Sequence, residues 1–270
     1  MRQVIHWRQA VPILITLSAM LCGFFSILVA VEGRGVDVDY MWKYHVWAAQ
    51  LILAAIILDG LDGIVARRLN GCSPIGAELD TYVDMTAFGI APAVLIYVVC
   101  LQSEPFRRVL MTAAVVLSGV VRLARFKATD PHRGQMGYSG LPITACASWV
   151  ALFVFISQSP PRRETPWLTY GPWAVIFLLG VMLFIVLQVS NVRYPKPTKR
   201  LSVFILGVVL VIGLLLPGVR IGRYTTDVYA AVTMVVLGLG YVFFGPLYIW
   251  RKALLRSRQG HPAPPPPAPG

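Results

Sequence analysis

The chain has 270 residues, with 24 Lys and Arg against 12 Asp and Glu for a formal net charge of +12. Hydrophobic residues make up 57% and charged residues only 13%, about half the charged share of an ordinary soluble domain, and the mean hydropathy is +0.68. This balance excludes a soluble globular domain and an intrinsically disordered chain. Because the cations lie between long apolar runs, it also excludes nucleic acid as a partner and assigns the positive charge to membrane topology and lipid headgroups.

The first apolar run, 11–31, follows Arg2 and Arg8 in the manner of a signal peptide. At about 20 residues it is long enough to span a bilayer, and Glu32 and Gly33 after it make no small-residue cleavage site, so it counts as a first span. Further runs fall at 45–66, 79–101, 108–126, 141–158, 172–189, 201–217 and 228–249, the run at 201–217 being the shortest. Continuous runs without period-2 alternation argue against a β-barrel. The expected fold is all-α, a polytopic transmembrane helix bundle of about eight spans.

With eight spans, both termini and the loops after even-numbered spans share one side. The opposite side then holds only Arg34, Lys43, Arg107, Arg108, Arg162, Arg163, Arg220 and Arg223 of the 24 cations. The positive-inside rule therefore puts both termini in the cytoplasm, with the chain integral to the cell membrane. Cys22, Cys72, Cys100 and Cys146 stand singly, which argues against a disulfide scaffold or structural zinc. No internal repeat is evident, against an inverted-repeat transporter. The end of the chain, HPAPPPPAPG, lacks the backbone donors a helix needs and is expected to be an extended cytoplasmic tail.

The informative stretch is Leu58 to Gly89, which carries five of the twelve acids. Ionisable groups at membrane depth are costly and usually functional. Asp59 and Asp62 are three apart at the end of the second span, and Asp80 and Asp84 are four apart at the start of the third. Each spacing puts its pair on one helix face. A loop of about ten residues folds the two helices into an antiparallel hairpin, so the pairs converge and need cations between them. Carboxylates without His or Cys suit Mg²⁺ or Mn²⁺. Gly63, Ala66 and Gly76 leave room between the helices, and Arg67 can set a guanidinium fork on a phosphate. Arg68 reads as a topology signal and Glu78 as a rim residue. The picture is a cytoplasmic-surface site for a diphosphate whose lipid end stays in the bilayer.

These residues resemble the signature of the CDP-alcohol phosphotransferases, D-x-x-D-G-x-x-A-R-x8-G-x-x-x-D-x-x-x-D, matched at Asp59, Asp62, Gly63, Ala66, Arg67, Gly76, Asp80 and Asp84. The resemblance implies a six-helix catalytic core. The expected division is residues 1–195 as that core, 196–252 as additional C-terminal transmembrane helices, and 253–270 as the Pro-rich tail. It also implies two bound ions, Mg²⁺ or Mn²⁺, with Asp59, Asp62 and Asp80 as ligands. Asp84 becomes the general base and also a metal contact, and Asp62, Gly63, Ala66, Arg67 and Gly76 bind the CDP-lipid. A homodimer is expected on the same ground.

Outside the signature, GVVRLARF at 119–126, YSGLP at 138–142 and SNVRYP at 190–195 resemble the bacterial and archaeal phosphatidylserine synthases of that family, as does the opening PILITLSAMLCG at 12–23, which departs at Ile13 and Ser18 where Asn is expected. The resemblance implies transfer of a phosphatidyl group from CDP-diacylglycerol to the hydroxyl of L-serine, giving phosphatidylserine and CMP. An acceptor carboxylate arriving beside four aspartates needs compensating cations, for which Arg122 and Arg125 are placed; Tyr138 and Ser139 shape the acceptor pocket. Lys127, His132 and Arg133 follow nearby, the last two expected in solvent. The arginines would serve glycerol 3-phosphate as well, and an inositol compound or choline are further alternative acceptors. A cation channel or transporter is the alternative from another class, but it predicts acids spread along a pore rather than clustered at one interface.

Overall fold

The computed structural model describes residues 6–100, 104–129, 138–158, 172–195, 201–216, 218–221 and 224–258. Among them are eight helices: α1 (Trp7–Glu32), α2 (Val38–Arg68), α3 (Pro74–Val99), α4 (Pro105–Thr129), α5 (Ile143–Gln158), α6 (Pro172–Val189), α7 (Leu201–Leu215) and α8 (Thr226–Arg258). The bundle of about eight apolar helices is the expected one. Six are long and apolar enough to cross a membrane, while α5 and the apolar part of α7 are shorter. These six are not the first six in the chain, because α5 falls short and α8 is long. The chain is an integral membrane protein of the helical class.

Shortness is tolerated in α5 because most of it is inside. At 16 residues it spans about 24 Å, less than the roughly 30 Å hydrocarbon layer. Cys146, Ala147, Val150, Ala151, Val154 and Phe155 are all buried, so it meets protein rather than lipid. Helix α2 is the opposite case. Its 31 residues extend about 46 Å, longer than that layer, which brings its C-terminal turns with Asp59 and Asp62 toward the polar interface.

The hairpin between α2 and α3 is tighter than expected, Leu69 to Ser73 rather than about ten residues. Helix α2 closes on Asn70 in the left-handed region (φ 50°), with the Gly71 N–H donating to the Ala66 carbonyl at 2.9 Å. This satisfies a carbonyl that the helix end would orphan. Helix α3 opens on Ser73, whose hydroxyl accepts from the Gly76 N–H at 3.0 Å, followed by Pro74 in the first turn. The Ser-Pro pair thus starts the helix earlier than its apolar run suggests.

Helix α3 is not uniform. From Asp84 to Ile90 it widens into a π-turn, in which the Ala91 N–H reaches the Thr86 carbonyl. Ala87, Phe88 and Gly89 in that turn are buried. Gly23 of α1 lies against it so closely that a Cβ there would sit 2.5 Å from the Ala87 Cα. Gly119 of α4 approaches from another side, with a Cβ position 3.8 Å from the Gly89 Cα. Small residues at both crossings let the backbones pack around the widened turn.

Two short antiparallel ladders complete the described structure. β1 (Tyr138–Ser139) pairs with β2 (Arg193–Tyr194), and β3 (Arg220–Ile221) with β4 (Tyr224–Thr225). Tyr194 is fully buried beside Tyr241 of α8, whose hydroxyl donates to the Pro195 carbonyl at 2.8 Å. Helix α8 runs on to Arg258, into the stretch expected as tail; the rest of the Pro-rich tail lies outside the described residues, as do His132 and Arg133.

Candidate active site

One end of the bundle gathers the C-terminus of α2, the first turns of α3, the start of α1 and the C-terminus of α4. Asp59, Asp62 and Asp80 each turn a carboxylate oxygen to within 4.8 Å of the others. Asp62 is buried and Asp80 exposed, so the trio runs from the interior to the surface. Three anionic oxygens at this separation, with no sulfur or imidazole among them, are the donor set a hard divalent cation requires. The residues present therefore fit the expected metal.

Asp84 stands outside this trio, at the first position of the π-turn, within electrostatic range of Asp80, Asp62 and Asp59. The expected convergence of four aspartates is thus present as three grouped oxygens with the fourth carboxylate acting on them electrostatically. Arg122, itself buried, acts electrostatically on both Asp59 and Asp84, and its Nε donates to the Leu141 carbonyl at 2.7 Å. That bond fixes the guanidinium beside the acids.

A cavity of about 230 Å³ opens beside the trio. Its wall includes Asp62, Gly63, Ala66, Arg67, Gly76 and Asp80, which brings together every residue expected to bind the CDP-lipid. Pro12, Ile13 and Thr16 of α1 form the facing wall, with Cys72, Ser73 and Ala77 at the hairpin. Ile13 makes this side of the wall apolar where the resembling sequences would set an amide.

Thr16 is the residue that the sequence reading missed. Its hydroxyl donates to the Asp62 carboxylate, with the Pro12 carbonyl 2.9 Å away. It orients the buried acid from a helix 46 positions earlier in the chain. The signal was available in the opening stretch PILITLSAMLCG, where Thr16 is a polar residue four positions after Pro12, within an apolar run.

The two arginines expected at the acceptor divide their tasks. Arg122 faces the acids. Arg125 instead donates to the Val189 carbonyl and to the Asn191 side chain, holding the turn that leads into β2. Tyr138 and Ser139 lie in the ladder opposite Tyr194 and Arg193, which brings YSGLP and SNVRYP together, although their side chains are outside the described residues. Lys127 forms an exposed ion pair with Glu78 at 2.7 Å, consistent with Glu78 as a rim residue and of small energetic weight.

Comparison with known proteins agrees with this geometry. The CDP-alcohol phosphatidyltransferase family profile matches residues 9–187, a span that contains the trio, Asp84, the cavity and Arg122. A Helicobacter pylori protein named CDP-diacylglycerol–serine O-phosphatidyltransferase is 34% identical over 184 residues, covering 68% of this chain and 71% of that protein. One of the same name from Bacillus subtilis is 28% identical over 187 residues, covering 68% and 89%. An archaetidylserine synthase from Methanothermobacter thermautotrophicus is 28% identical over 189 residues, covering 69% and 70%. The chain belongs to the CDP-alcohol phosphatidyltransferase family, and it is a membrane-embedded transferase.

Proposed function

We propose that the protein transfers the phosphatidyl group of CDP-diacylglycerol to the hydroxyl of L-serine, forming phosphatidylserine and CMP. The observation that carries this reading is the Asp59, Asp62 and Asp80 trio opening onto a cavity walled by Gly63, Ala66, Arg67 and Gly76. Asp59, Asp62 and Asp80 would hold the divalent ions, Mg²⁺ or Mn²⁺, with Asp84 next to them. Bound there, the ions offset the charge of the diphosphate and of the departing CMP.

The chain's own residues do the rest. Arg67 binds the diphosphate from the cavity mouth, and Gly63 and Gly76 admit the nucleotide between the helices. The serine oxygen forms a bond to the phosphorus that carries the diacylglycerol, the bond from that phosphorus to the bridging oxygen breaks, and CMP leaves with that oxygen. Asp84 accepts the hydroxyl proton. Arg122, bound to the Leu141 carbonyl and facing Asp59 and Asp84, offers the positive charge that the serine carboxylate requires. Arg125 contributes to the acceptor pocket by holding the 189–191 turn.

Residues 1–195 form the catalytic core in this reading, and the helices of 196–252 brace it. Phe204 of α7 packs on Gly60, between Asp59 and Asp62, and the Gln50 amide donates to the Leu214 carbonyl at 2.6 Å. The assembly is a homodimer, as the family resemblance implies.

The test is product identity. Purified protein with CDP-diacylglycerol and Mn²⁺ or Mg²⁺ is expected to release CMP and form phosphatidylserine only when serine is added, and to stop on chelation with EDTA. CMP release with glycerol 3-phosphate, inositol or choline but not serine would reassign the acceptor, and release indifferent to chelator would refute the metal.

The site and both termini face the cytoplasm, supported by the lysine and arginine bias. Cys72 is the exposed cysteine of the four and lines the cavity. A membrane-impermeant maleimide is expected to label it in inside-out vesicles and not in intact spheroplasts, with CDP-diacylglycerol slowing the labelling. Labelling of intact spheroplasts would reverse the orientation.

A further inference from the structure

At the end of the bundle opposite the aspartates, two cations converge on one ring. The Arg34 guanidinium carbon lies 5.4 Å from the centroid of Tyr97, and that of Arg108 lies 4.4 Å from the same centroid. Arg34 comes from the turn after α1, Tyr97 from the last turns of α3 and Arg108 from the first turn of α4, so three separate segments build the cluster. Among the described residues neither arginine has a carboxylate partner; the ion pairs there are Arg107 with Glu104 and Lys127 with Glu78. The Arg108 Nε is buried and makes no hydrogen bond among those residues.

Two guanidiniums on one ring repel each other, and a buried charged donor without an acceptor is expensive. The ring quadrupole offsets only part of this cost. An anion with several oxygens reaching both guanidiniums would satisfy them, as phosphate does for arginine. The surroundings choose the carrier of that phosphate. Phe106, Val109 and Leu110 on α4 and Leu28 and Val31 on α1 are exposed beside the cluster, an apolar surface made for acyl chains.

We propose that Arg34, Tyr97 and Arg108 clasp the headgroup phosphate of a phospholipid in the leaflet opposite the catalytic aspartates. The site lies far from the reacting groups and does not depend on which alcohol the enzyme accepts. It is a resident-lipid site, held by phosphate recognition at its polar end and by chain contacts below.

Native mass spectrometry of the full-length protein released from detergent, titrated with phosphatidylglycerol, tests it. The wild type is expected to hold at least fivefold more phosphatidylglycerol than Arg34→Gln/Arg108→Gln at the same lipid concentration, with CMP release unchanged in the variant. Arg34→Gln alone, at an exposed position where folding is not at stake, is expected to lose at least twofold. Inorganic phosphate at millimolar concentration is expected not to displace the lipid. Equal retention by the wild type and both variants would overturn the proposal, as would displacement by inorganic phosphate, which would mark a free-anion site.

Discussion

Replacing Asp84 with Asn is expected to lower kcat by about 10²- to 10⁴-fold, the usual weight of a general base, while CDP-diacylglycerol binding stays within a few-fold of wild type. The asymmetry follows from position. Asp84 does not line the cavity and lies outside the three grouped carboxylate oxygens, so its amide leaves the nucleotide wall and those three oxygens in place. Asp62→Asn should behave differently. Asp62 belongs to the trio, lines the cavity and accepts the Thr16 hydroxyl, so its loss raises the metal concentration needed for half-maximal rate and weakens substrate binding together. Single-turnover CMP release and nucleotide–lipid binding, measured on both variants across a metal titration, separate the two. Near-normal turnover in Asp84→Asn would remove the base from the mechanism.

The second large effect is expected at Gly23→Ala. In an exposed helix this change stabilises by roughly 1 kcal/mol, because Ala has the better helix propensity. Here the added methyl would meet the Ala87 Cα at 2.5 Å and the Ala87 Cβ at 2.6 Å, and backbone cannot swing aside as a side chain can. Overpacking of this kind costs about 1–3 kcal/mol. The strain falls on the π-turn that begins at Asp84, so activity should drop by about 10-fold or more along with thermal stability, since small displacements of a reacting group are costly. Thermal unfolding in detergent and the rate of CMP release read the two consequences, and a variant more stable than wild type would show that α1 and the π-turn are not in tight contact.

Much of this was legible in the chain. Apolar run lengths gave the eight helices, and the spacing within each aspartate pair pointed to the group of Asp59, Asp62 and Asp80, because both are read from short stretches of the chain. The alternating Ser73 cap, Pro74 and Asn70 could also have set the hairpin at its true length, but the apolar run starts only later and misled the boundary. What stayed hidden depends on contacts between distant segments. Nothing around Arg125 announces that it holds the Val189 carbonyl, 64 positions away, while Arg122 three residues earlier faces the acids. The same holds for Phe204 on Gly60, and for Arg34 and Arg108, which in the sequence are only two of the eight cations counted on the side opposite the termini. The π-turn has no residue signature of its own; DMTAFGI would continue an ordinary helix equally well.

That turn has a consequence for how the gene can change. In a regular helix each residue advances about 100°, so a one-residue insertion or deletion rotates everything beyond it by that angle. The widened turn from Asp84 to Ile90 accommodates one such extra residue, and it lies between the Asp80 and Asp84 carboxylates and the apolar turns from Ala91 to Val99 that pack in the core. The phase between chemistry and anchoring is therefore set at a single place. Loss of one codon there would leave an unbroken, fully helical span whose acids and packing face are turned about 100° out of phase.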